Sequence, residues 1–320
     1  MTVVVLPGDG IGPEVMLEAL RALEKVAPDL KLEEHAFGAQ AIRATGDSLP
    51  EETLAACKGA EAVLKGPIGD PEFDAADVRP EQGMLRLRAE LDVYANLRPS
   101  EQGDVNILIV RELVGGLYFG EKGVREDGTV FDTMEYRPDQ VERIARRAFE
   151  LARGRHKRVV SVDKANVLET SRMWRRVVTE VAAEYDDVEL EHMLVDNAAM
   201  QLVLATDRFD VLVTENMFGD ILSDLAASLT GGIGLAPSAS LSDSGPGLFE
   251  PVHGSAPDIV GKGVANPMAM MLSTALMLEH GLGRTDEATR LRAAVWNTYR
   301  DMPDPERTSA FGDAVVTELS

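Results

Sequence analysis

The chain has 320 residues, with 32 Lys and Arg against 54 Asp and Glu, for a formal net charge of −22. At roughly 150 residues per domain the length implies two domains, and an apolar share of 45% can fill a sizeable core. Val, Ile and Leu are not scarce, so global disorder is excluded. A nucleic-acid binder is excluded too, because no basic run offers a face to a phosphate backbone. The single Cys57 rules out a disulfide scaffold and fits a reducing, cytoplasmic setting. MTVVVLPGDG lacks a basic leader, so no targeting segment is expected. The most apolar stretch, Val264 to Leu278, is too short to span a bilayer, so no membrane partner is expected. It reads as a buried helix with Asn266 as its cap and Pro267 at its first position.

The acidity has a second feature. Only 8 residues are Lys, so Arg supplies the other 24 cations, 32 − 8. Few Lys with abundant Asp and Glu is the balance of a protein working in concentrated salt; an ordinary acidic cytosolic enzyme is the alternative. In molar salt the Debye length is about 3 Å, which screens surface self-repulsion. Unfolding at low salt is the expectation.

In chain order, Thr2–Leu6 reads as a buried strand, followed by the glycine turn PGDGIGPEV and a helix opened by Pro13. Val15, Ala19, Leu20, Leu23 and Val26 give that helix an apolar face. Ala60–Leu64, Val105–Val110, Val159–Val162 and Val211–Thr214 read as further strands. Helices are expected over Asp139–Arg153, stopped by Gly154, and over Ser171–Tyr185, with Trp174, Val177, Val178 and Val181 on one face. Strands alternating with helices indicate an α/β class with a mainly parallel sheet. Ala236–Gly263 is rich in Gly, Pro and Ser without periodicity, and reads as a long functional loop.

Several residues in this frame carry chemistry. Gly8-Asp9-Gly10-Ile11-Gly12 lacks the spacing of a Rossmann fingerprint, since Pro13 and Glu14 stand where the third glycine would fall. Alone it is a tight turn or a ligand edge. Arg88 and Arg98 in GMLRLRAELDVYANLRP, and Arg111 after VNILIV, are suited to a bidentate grip on carboxylates, or to surface ion pairs. Arg111 is the best placed, at the carboxyl end of a strand. Asp220 and Asp224 lie four apart, on one face of a helix, and repel unless a cation or an arginine lies between them. Oxygen ligands suit Mg²⁺ or Mn²⁺. Alternatively they cap or solvate the helix start. Lys164 follows a strand, where desolvation or nearby cations can make it a proton carrier; a salt-bridged lysine is the plainer reading. Tyr118 can donate a phenolic proton or pack in a core. His253 sits in a glycine-rich loop, which favours ligand contact.

Taken together and in order, five blocks resemble the β-decarboxylating hydroxyacid dehydrogenases, the isocitrate and isopropylmalate dehydrogenase family. They are LPGDGIGPEV, LRLRAELDVYANLRP, IVRELVGGLYFGE, SVDKANVL, and NMFGDILSDLAASLTGGIGLAPSAS running on to FEPVHGSAPDIVGKGVANP. The resemblance spans essentially the whole chain. It implies a two-domain α/β fold with a mixed, mainly parallel sheet, not a Rossmann fold. Residues 1–93 with 231–320 form the cofactor-side domain, and 94–230 the domain with the metal aspartates and the dimer interface. The active site lies in a cleft that closes over the substrate.

By the same resemblance, Arg88, Arg98 and Arg111 bind the substrate's carboxylates. Asp220 and Asp224, with Asp196 of a neighbouring subunit, hold Mg²⁺ or Mn²⁺, and Asp196 also faces the substrate. Lys164, also from the neighbour, is the general base, and Tyr118 protonates the enolate after CO₂ leaves. NAD is held by Ile11, Asn166, Glu250, His253, Gly254, Ser255, Ala256, Pro257, Asp258, Ile259 and Asn266. The carboxylate of Asp258, beside Ile259, accepts from ribose hydroxyls and repels a 2′-phosphate, so NAD is expected over NADP. A homodimer with shared sites, or a higher assembly of such dimers, is implied.

Substrate choice turns on the segment before Arg88. Pro80-Glu81-Gln82-Gly83-Met84-Leu85 is similar to the isopropylmalate branch, with Glu81 near the nicotinamide and Met84 and Leu85 as an apolar wall. The implied reaction is oxidative decarboxylation of (2R,3S)-3-isopropylmalate to 2-oxoisocaproate and CO₂, in leucine synthesis. D-malate, tartrate and homoisocitrate dehydrogenases share the scaffold, and a catalytically silent regulatory subunit is the non-enzyme rival. Three departures stand out. Asn197 and Ala198 follow Asp196 where relatives often carry Ala and Met. Met84 replaces a Leu. Pro99–Asp104 is short and reads as a tight link between the two parts.

Overall fold

A computed structural model describes residues 1–320. In chain order, β1 (Thr2–Leu6) enters α1 (Gly12–Val26). Then β2 (Lys31–Glu34), α2 (Ala39–Thr45) and α3 (Glu51–Gly59) lead to β3 (Ala62–Lys65) and α4 (Pro80–Glu90). β4 (Ala95–Gln102) and β5 (Val105–Glu112) form one hairpin, β6 (Lys122–Val124) and β7 (Val130–Asp132) another. Next come α5 (Pro138–Arg153), β8 (Arg158–Asp163), α6 (Glu169–Ala182), β9 (Glu189–Leu194), α7 (Val195–Leu204), β10 (Val211–Thr214) and α8 (Asn216–Ser228). β11 (Pro237–Leu241) and β12 (Gly247–Pro251) precede α9 (Met268–Leu276), α10 (Thr285–Asp301) and α11 (Thr308–Glu318).

These elements make two units. Met1–Val93 with Ile233–Ser320 form the first, and Tyr94–Gly232 the second. In the first, the strand order is β2-β1-β3-β12-β11, parallel except that β11 runs against β12. Val4 lies opposite Val63, which lies opposite Leu248, and the three share a core with Leu6, Phe37, Leu49, Met84 and Leu87. In the second, the order is β4-β5-β10-β8-β9, with only β4 antiparallel. Its core gathers Ile107, Ile109, Val160, Val162, Met193, Leu202, Leu212 and Leu222. Strands covered on both faces read as unbroken apolar runs, which is why TVVVL, VNILIV and VLVT stand out in the sequence. Burying each such aliphatic side chain contributes about 1.5–3 kcal/mol. The fold is α/β with a mixed, mainly parallel sheet, and is not a Rossmann fold. No helix is long and apolar enough to cross a membrane.

The expected helices fall where periodicity placed them: α1 buries Val15, Ala19, Leu23 and Val26, and α6 buries Trp174, Val177, Val178 and Val181. α9 is buried on every face but starts at Met268 rather than near Val264, with Pro267 in the cap position; Asn266, one residue earlier, accepts from Met268 N at 3.0 Å and closes the turn into the helix. Pro267 stands one residue ahead of the helix, not at its first position. Ala198 is fully buried beside Leu202, so the small residue after Asn197 fits the core directly.

Two expectations are corrected. Ala236–Gly263 is not one loop, because it contains the antiparallel pair β11 and β12. Every residue of both strands is buried, and the Pro, Ser and Gly of PSASL and GLFEP are residues more typical of loops than of strands. Nor is Pro99–Asp104 a link between parts. Pro99 lies inside β4 opposite Leu108, the hairpin turns at Gly103, and the chain passes from one unit to the other at Val93–Tyr94.

Candidate active site

In the second unit, the parallel strands β5, β10, β8 and β9 end along one edge. Arg111 pairs with Thr214, Thr214 with Val162, and Asp163 with Leu194. Ligands of open α/β sheets bind at such carboxyl ends. Glu215 follows β10 and caps α8: its carboxylate accepts from Phe218 N at 2.7 Å and Met217 N at 3.1 Å. A carboxylate at a helix start meets unpaired N–H groups and the positive end of the helix dipole. Burial pushes its pKa up against those bonds.

α8 then presents Asp220 and Asp224, one turn apart, to two arginines. Arg111 is 1% exposed. Its Nε and Nη2 donate to Asn216 Oδ1 at 3.0 and 2.8 Å, and its Nη1 donates to Asp220 Oδ1. A Cβ on Gly219 would lie 2.6 Å from Arg111 Cγ, so only glycine lets the arginine run along the helix. Arg98 Nη1 donates to Ser223 Oγ at 2.7 Å and to Asp224 Oδ1 at 3.2 Å, and lies 3.3 Å from Asp220 Oδ1. Its Nε donates to Asn96 Oδ1 at 3.0 Å. The two guanidiniums offset the repulsion between the aspartates. Burial raises the Asp224 pKa and Asp220 adds to it, while Arg98 and Arg111 oppose both.

Tyr118 completes this group. Its hydroxyl donates to Asp220 Oδ2 at 2.8 Å, and the Arg111 guanidinium lies 5.5 Å from its ring centre. Burial first, and the bond to Asp220 second, raise its pKa, so the phenol keeps its proton. The structure therefore gathers Arg98, Arg111, Tyr118, Asp220 and Asp224 into one constellation: two fixed cations, two carboxylates and one acid.

Lys164 and Asp196 form a second pair along the same edge. Lys164 follows β8, Asp196 lies in the first turn of α7 after β9, and Nζ meets Oδ1 at 2.6 Å. The Asp196 side chain is 64% exposed, and Lys164 holds its pKa below the usual carboxylate range. The turn carrying Lys164 is anchored. Its N–H donates to Ser171 Oγ, and the buried Asp163 takes Ala165 N and a bidentate grip from Arg175, both bonds at 2.8 Å. Asn166 is exposed in the same turn. Within one chain no three His, Cys, Asp or Glu residues are gathered that could hold a metal ion.

The first unit brings the glycine turn to the 253–266 segment. Ile11 N donates to Ser255 O at 2.9 Å, and a Cβ on Gly10 would lie 2.0 Å from that same oxygen. Asp9 is a clamp rather than a ligand, since its carboxylate accepts from Ala39 N at 2.9 Å and Gly69 N at 3.0 Å. Glu14 accepts from Ala265 N at 3.2 Å and from the Thr308 hydroxyl. Ile11, Ser255 and His253 are buried, while Gly254, Pro257 and Asp258 are exposed and Ile259 is half-buried. Ala256 takes φ +44, a left-handed conformation costly for a residue with a Cβ. His253 Nδ1 bonds Gly254 O at 2.9 Å, so it carries the proton, and Nε2 is buried without a partner. Burial lowers the pKa of this ring.

Glu250, on β12, is the centre of a buried triad. Lys65 Nζ lies 2.8 Å from its Oε2, and Arg88 Nη2 donates to its Oε1 at 3.1 Å. Burial alone would raise the Glu250 pKa, but Lys65 and Arg88 overcome it and hold the carboxyl at about 2. Lys65 was not singled out in the sequence, although a lysine ending the apolar strand AVLK was a usable signal. The Asn216 amide under Arg111 was missed as well, because nothing local marks its partner.

The residues of the expected apolar wall lie on α4. On α4, Glu81, Met84, Leu85 and Arg88 share one face by their spacings of three and four. Met84 is buried in the core with Leu87 and Leu91, whereas Leu85 is half-buried.

Residues 2–315 match the family described as isocitrate/isopropylmalate dehydrogenase. The chain is 54% identical over 322 residues to a 3-isopropylmalate dehydrogenase of Shouchella clausii, covering 92% of this chain and 87% of that one. The crystal structure of an isocitrate dehydrogenase from Methylococcus capsulatus superposes with a TM-score of 0.93 at 37% identity, covering 99% of both chains. A β-decarboxylating dehydrogenase from Thermococcus kodakarensis gives a TM-score of 0.86 at 40% identity, covering 99% of this chain and 96% of that one. The chain therefore belongs to the isocitrate/isopropylmalate dehydrogenase family, and is a decarboxylating dehydrogenase.

Proposed function

We propose that the chain oxidises and decarboxylates (2R,3S)-3-isopropylmalate to 2-oxoisocaproate and CO₂ with NAD, as a step of leucine synthesis. The observation that carries this reading is the constellation of Arg98, Arg111, Tyr118, Asp220 and Asp224. Two buried guanidiniums, a phenol that keeps its proton and two carboxylates one turn apart at one sheet edge support roles in carboxylate binding, proton donation and metal ligation. Relatives of similar sequence bear the isopropylmalate name. Leu85 offers the apolar surface that an isopropyl group needs, and Arg88 is a third guanidinium for a carboxylate.

The residues present fit both groups that the reaction requires. Asp220 and Asp224, half-exposed and one turn apart, offer oxygen ligands for Mg²⁺ or Mn²⁺, with Asp196 as the third. The buried, unpartnered Nε2 of His253 and the exposed Asp258 fit a polar cofactor such as NAD along 250–259, with Ile11, Asn166 and Asn266 as further contacts. When bound, NAD supplies the hydride acceptor for C2, and the cation supplies positive charge beside the hydroxyl. In its neutral form, Lys164 Nζ takes the proton of the 2-hydroxyl. The C–C bond to the departing carboxylate breaks, CO₂ leaves, and the Tyr118 hydroxyl gives its proton to the enolate carbon. Arg98 and Arg111 hold the substrate in register meanwhile.

Within one chain Asp196 pairs with Lys164 and does not join Asp220 and Asp224 in a set of three, which supports a homodimer in which each chain completes its neighbour's site. Exposed Met200, Val203 and Leu204 on α7 and Ile221 on α8 offer an apolar face for it. The test is NADH formation in high KCl with Mg²⁺, given 3-isopropylmalate, D-malate or isocitrate in parallel, with NADP as the alternate cofactor. A clear preference for isopropylmalate and NAD, abolished by EDTA, is expected. Preference for malate or isocitrate would reject the substrate assignment while leaving the family membership intact.

A further inference from the structure

Asn216 is fully buried, and every hydrogen-bonding capacity of its amide is used. Oδ1 accepts from Nε and Nη2 of Arg111 at 3.0 and 2.8 Å. Nδ2 donates to Leu113 O at 3.1 Å and Gly115 O at 2.9 Å. Its backbone N–H donates to the Tyr136 hydroxyl at 3.0 Å. The amide has one possible orientation. Turned over, it would point N–H groups at guanidinium donors and its oxygen at two carbonyls.

One side chain thus ties three pieces of the site. It holds the Nε–Nη2 edge of Arg111, which leaves Nη1 for Asp220. It holds both carbonyls of the segment leading into the turn Gly116–Tyr118. It also starts α8, four residues before Asp220, so amide and carboxylate share a helix face. The Tyr118 hydroxyl then meets Asp220 Oδ2 at 2.8 Å.

We infer that Asn216 is a positioning residue that locks the Arg111 guanidinium and the Tyr118 phenol into a common register through its single amide. The inference rests on the roles proposed above for Arg111 and Tyr118. Misplacement of reacting groups by about 1 Å costs on the order of 100-fold in rate, and the amide bonds exclude such drift.

The test is Asn216→Asp, alone and combined with Tyr118→Phe, assayed by NADH formation with isopropylmalate and Mg²⁺. Aspartate keeps the volume and the oxygen that serves Arg111. It puts a second oxygen against the carbonyls of Leu113 and Gly115. KM should stay within about threefold and kcat should fall about 100-fold, since only the phenol's anchoring is lost. In the Tyr118→Phe background the further loss of kcat should shrink to under about threefold, because the phenol is already gone. An equal loss in both backgrounds, or a KM rise that matches the fall in kcat, overturns the inference. Tyr118→Phe with undiminished kcat would instead overturn the role given to Tyr118, and the inference with it. If Asn216→Asp does not fold, Asn216→Ser empties the site instead of charging it, and its kcat coupling to Tyr118→Phe is judged by the same criterion.

Discussion

Lys65 Nζ lies 2.8 Å from Glu250 Oε2, both side chains are buried, and the lysine also donates to Gly66 O at 2.7 Å. Burial pulls the Lys65 pKa down although Glu250 pulls it up. Glu250 is held at about 2, well below its unfolded range. A carboxylate with a lowered folded pKa stabilises the fold above its unfolded pKa, near ~4.3, and loses that contribution as pH falls through the folded value. Acid unfolding should therefore begin below about pH 4.5 and include this group. Lys65→Met leaves Glu250 with Arg88 alone and should cost about 3–5 kcal/mol, whereas Lys65→Met with Glu250→Leu should recover part of it. Thermal unfolding at pH 7 checks both. A single variant as stable as the parent would remove the triad's structural role.

Met84 and Leu85 are neighbours that differ in burial, Met84 in the core and Leu85 half-exposed. Met84→Ala should destabilise by about 2–5 kcal/mol with little change in the ratio of isopropylmalate to malate turnover, because it empties the core. Leu85→Ala should leave stability nearly intact and shift that ratio toward malate by about 1–3 kcal/mol. Steady-state kinetics with both substrates and a melting curve for each variant decide it. The reverse pattern would restore Met84 as the specificity residue.

Gly219→Ala places a methyl against Arg111 Cγ, where its Cβ would lie 2.6 Å away. Neither the helix backbone nor the buried guanidinium can yield cheaply. The variant should lose about 1–3 kcal/mol of stability by overpacking and raise KM more than it lowers kcat. Unchanged substrate affinity would show that Arg111 does not grip the substrate.

The net charge of −22 sets the response to salt. Many surface arginines are tied to acids, as Arg146 is to Glu142 and Glu184 at 2.9 and 2.6 Å, but the acidic excess is left to repel. At 0.1 M salt charges interact over about 10 Å, and at 1 M over about 3 Å. The melting temperature should therefore fall steadily as KCl is diluted from molar to 0.1 M. A melting curve that is equally cooperative and unshifted in dilute buffer would sink the halophilic reading.

The sequence by itself determined what depends on near neighbours. Unbroken apolar runs marked β1, β5 and β10, because strands covered on both faces must be apolar throughout. Spacing of three and four marked the buried stripes of α1 and α6, and spacing of four put Asp220 and Asp224 on one helix face. The residues of the candidate site were visible as types in motifs, since arginines and aspartates in an apolar frame need a reason to be there. Tertiary structure alone decided their partners. Whether Arg111 met a ligand or an internal group depended on Asn216, 105 residues away. Whether Lys65 was a surface cation or the guard of Glu250 depended on how β12 came to lie beside β3. The hairpin of β11 and β12 escaped detection because its strands, PSASL and GLFEP, carry the Pro, Ser and Gly that otherwise mark loops, and only the pairing of β12 with β3 buries them. Periodicity is a property of the local backbone. The pairing of buried charges is instead set by which distant segments are folded together, and by the cost of leaving such charges without a partner.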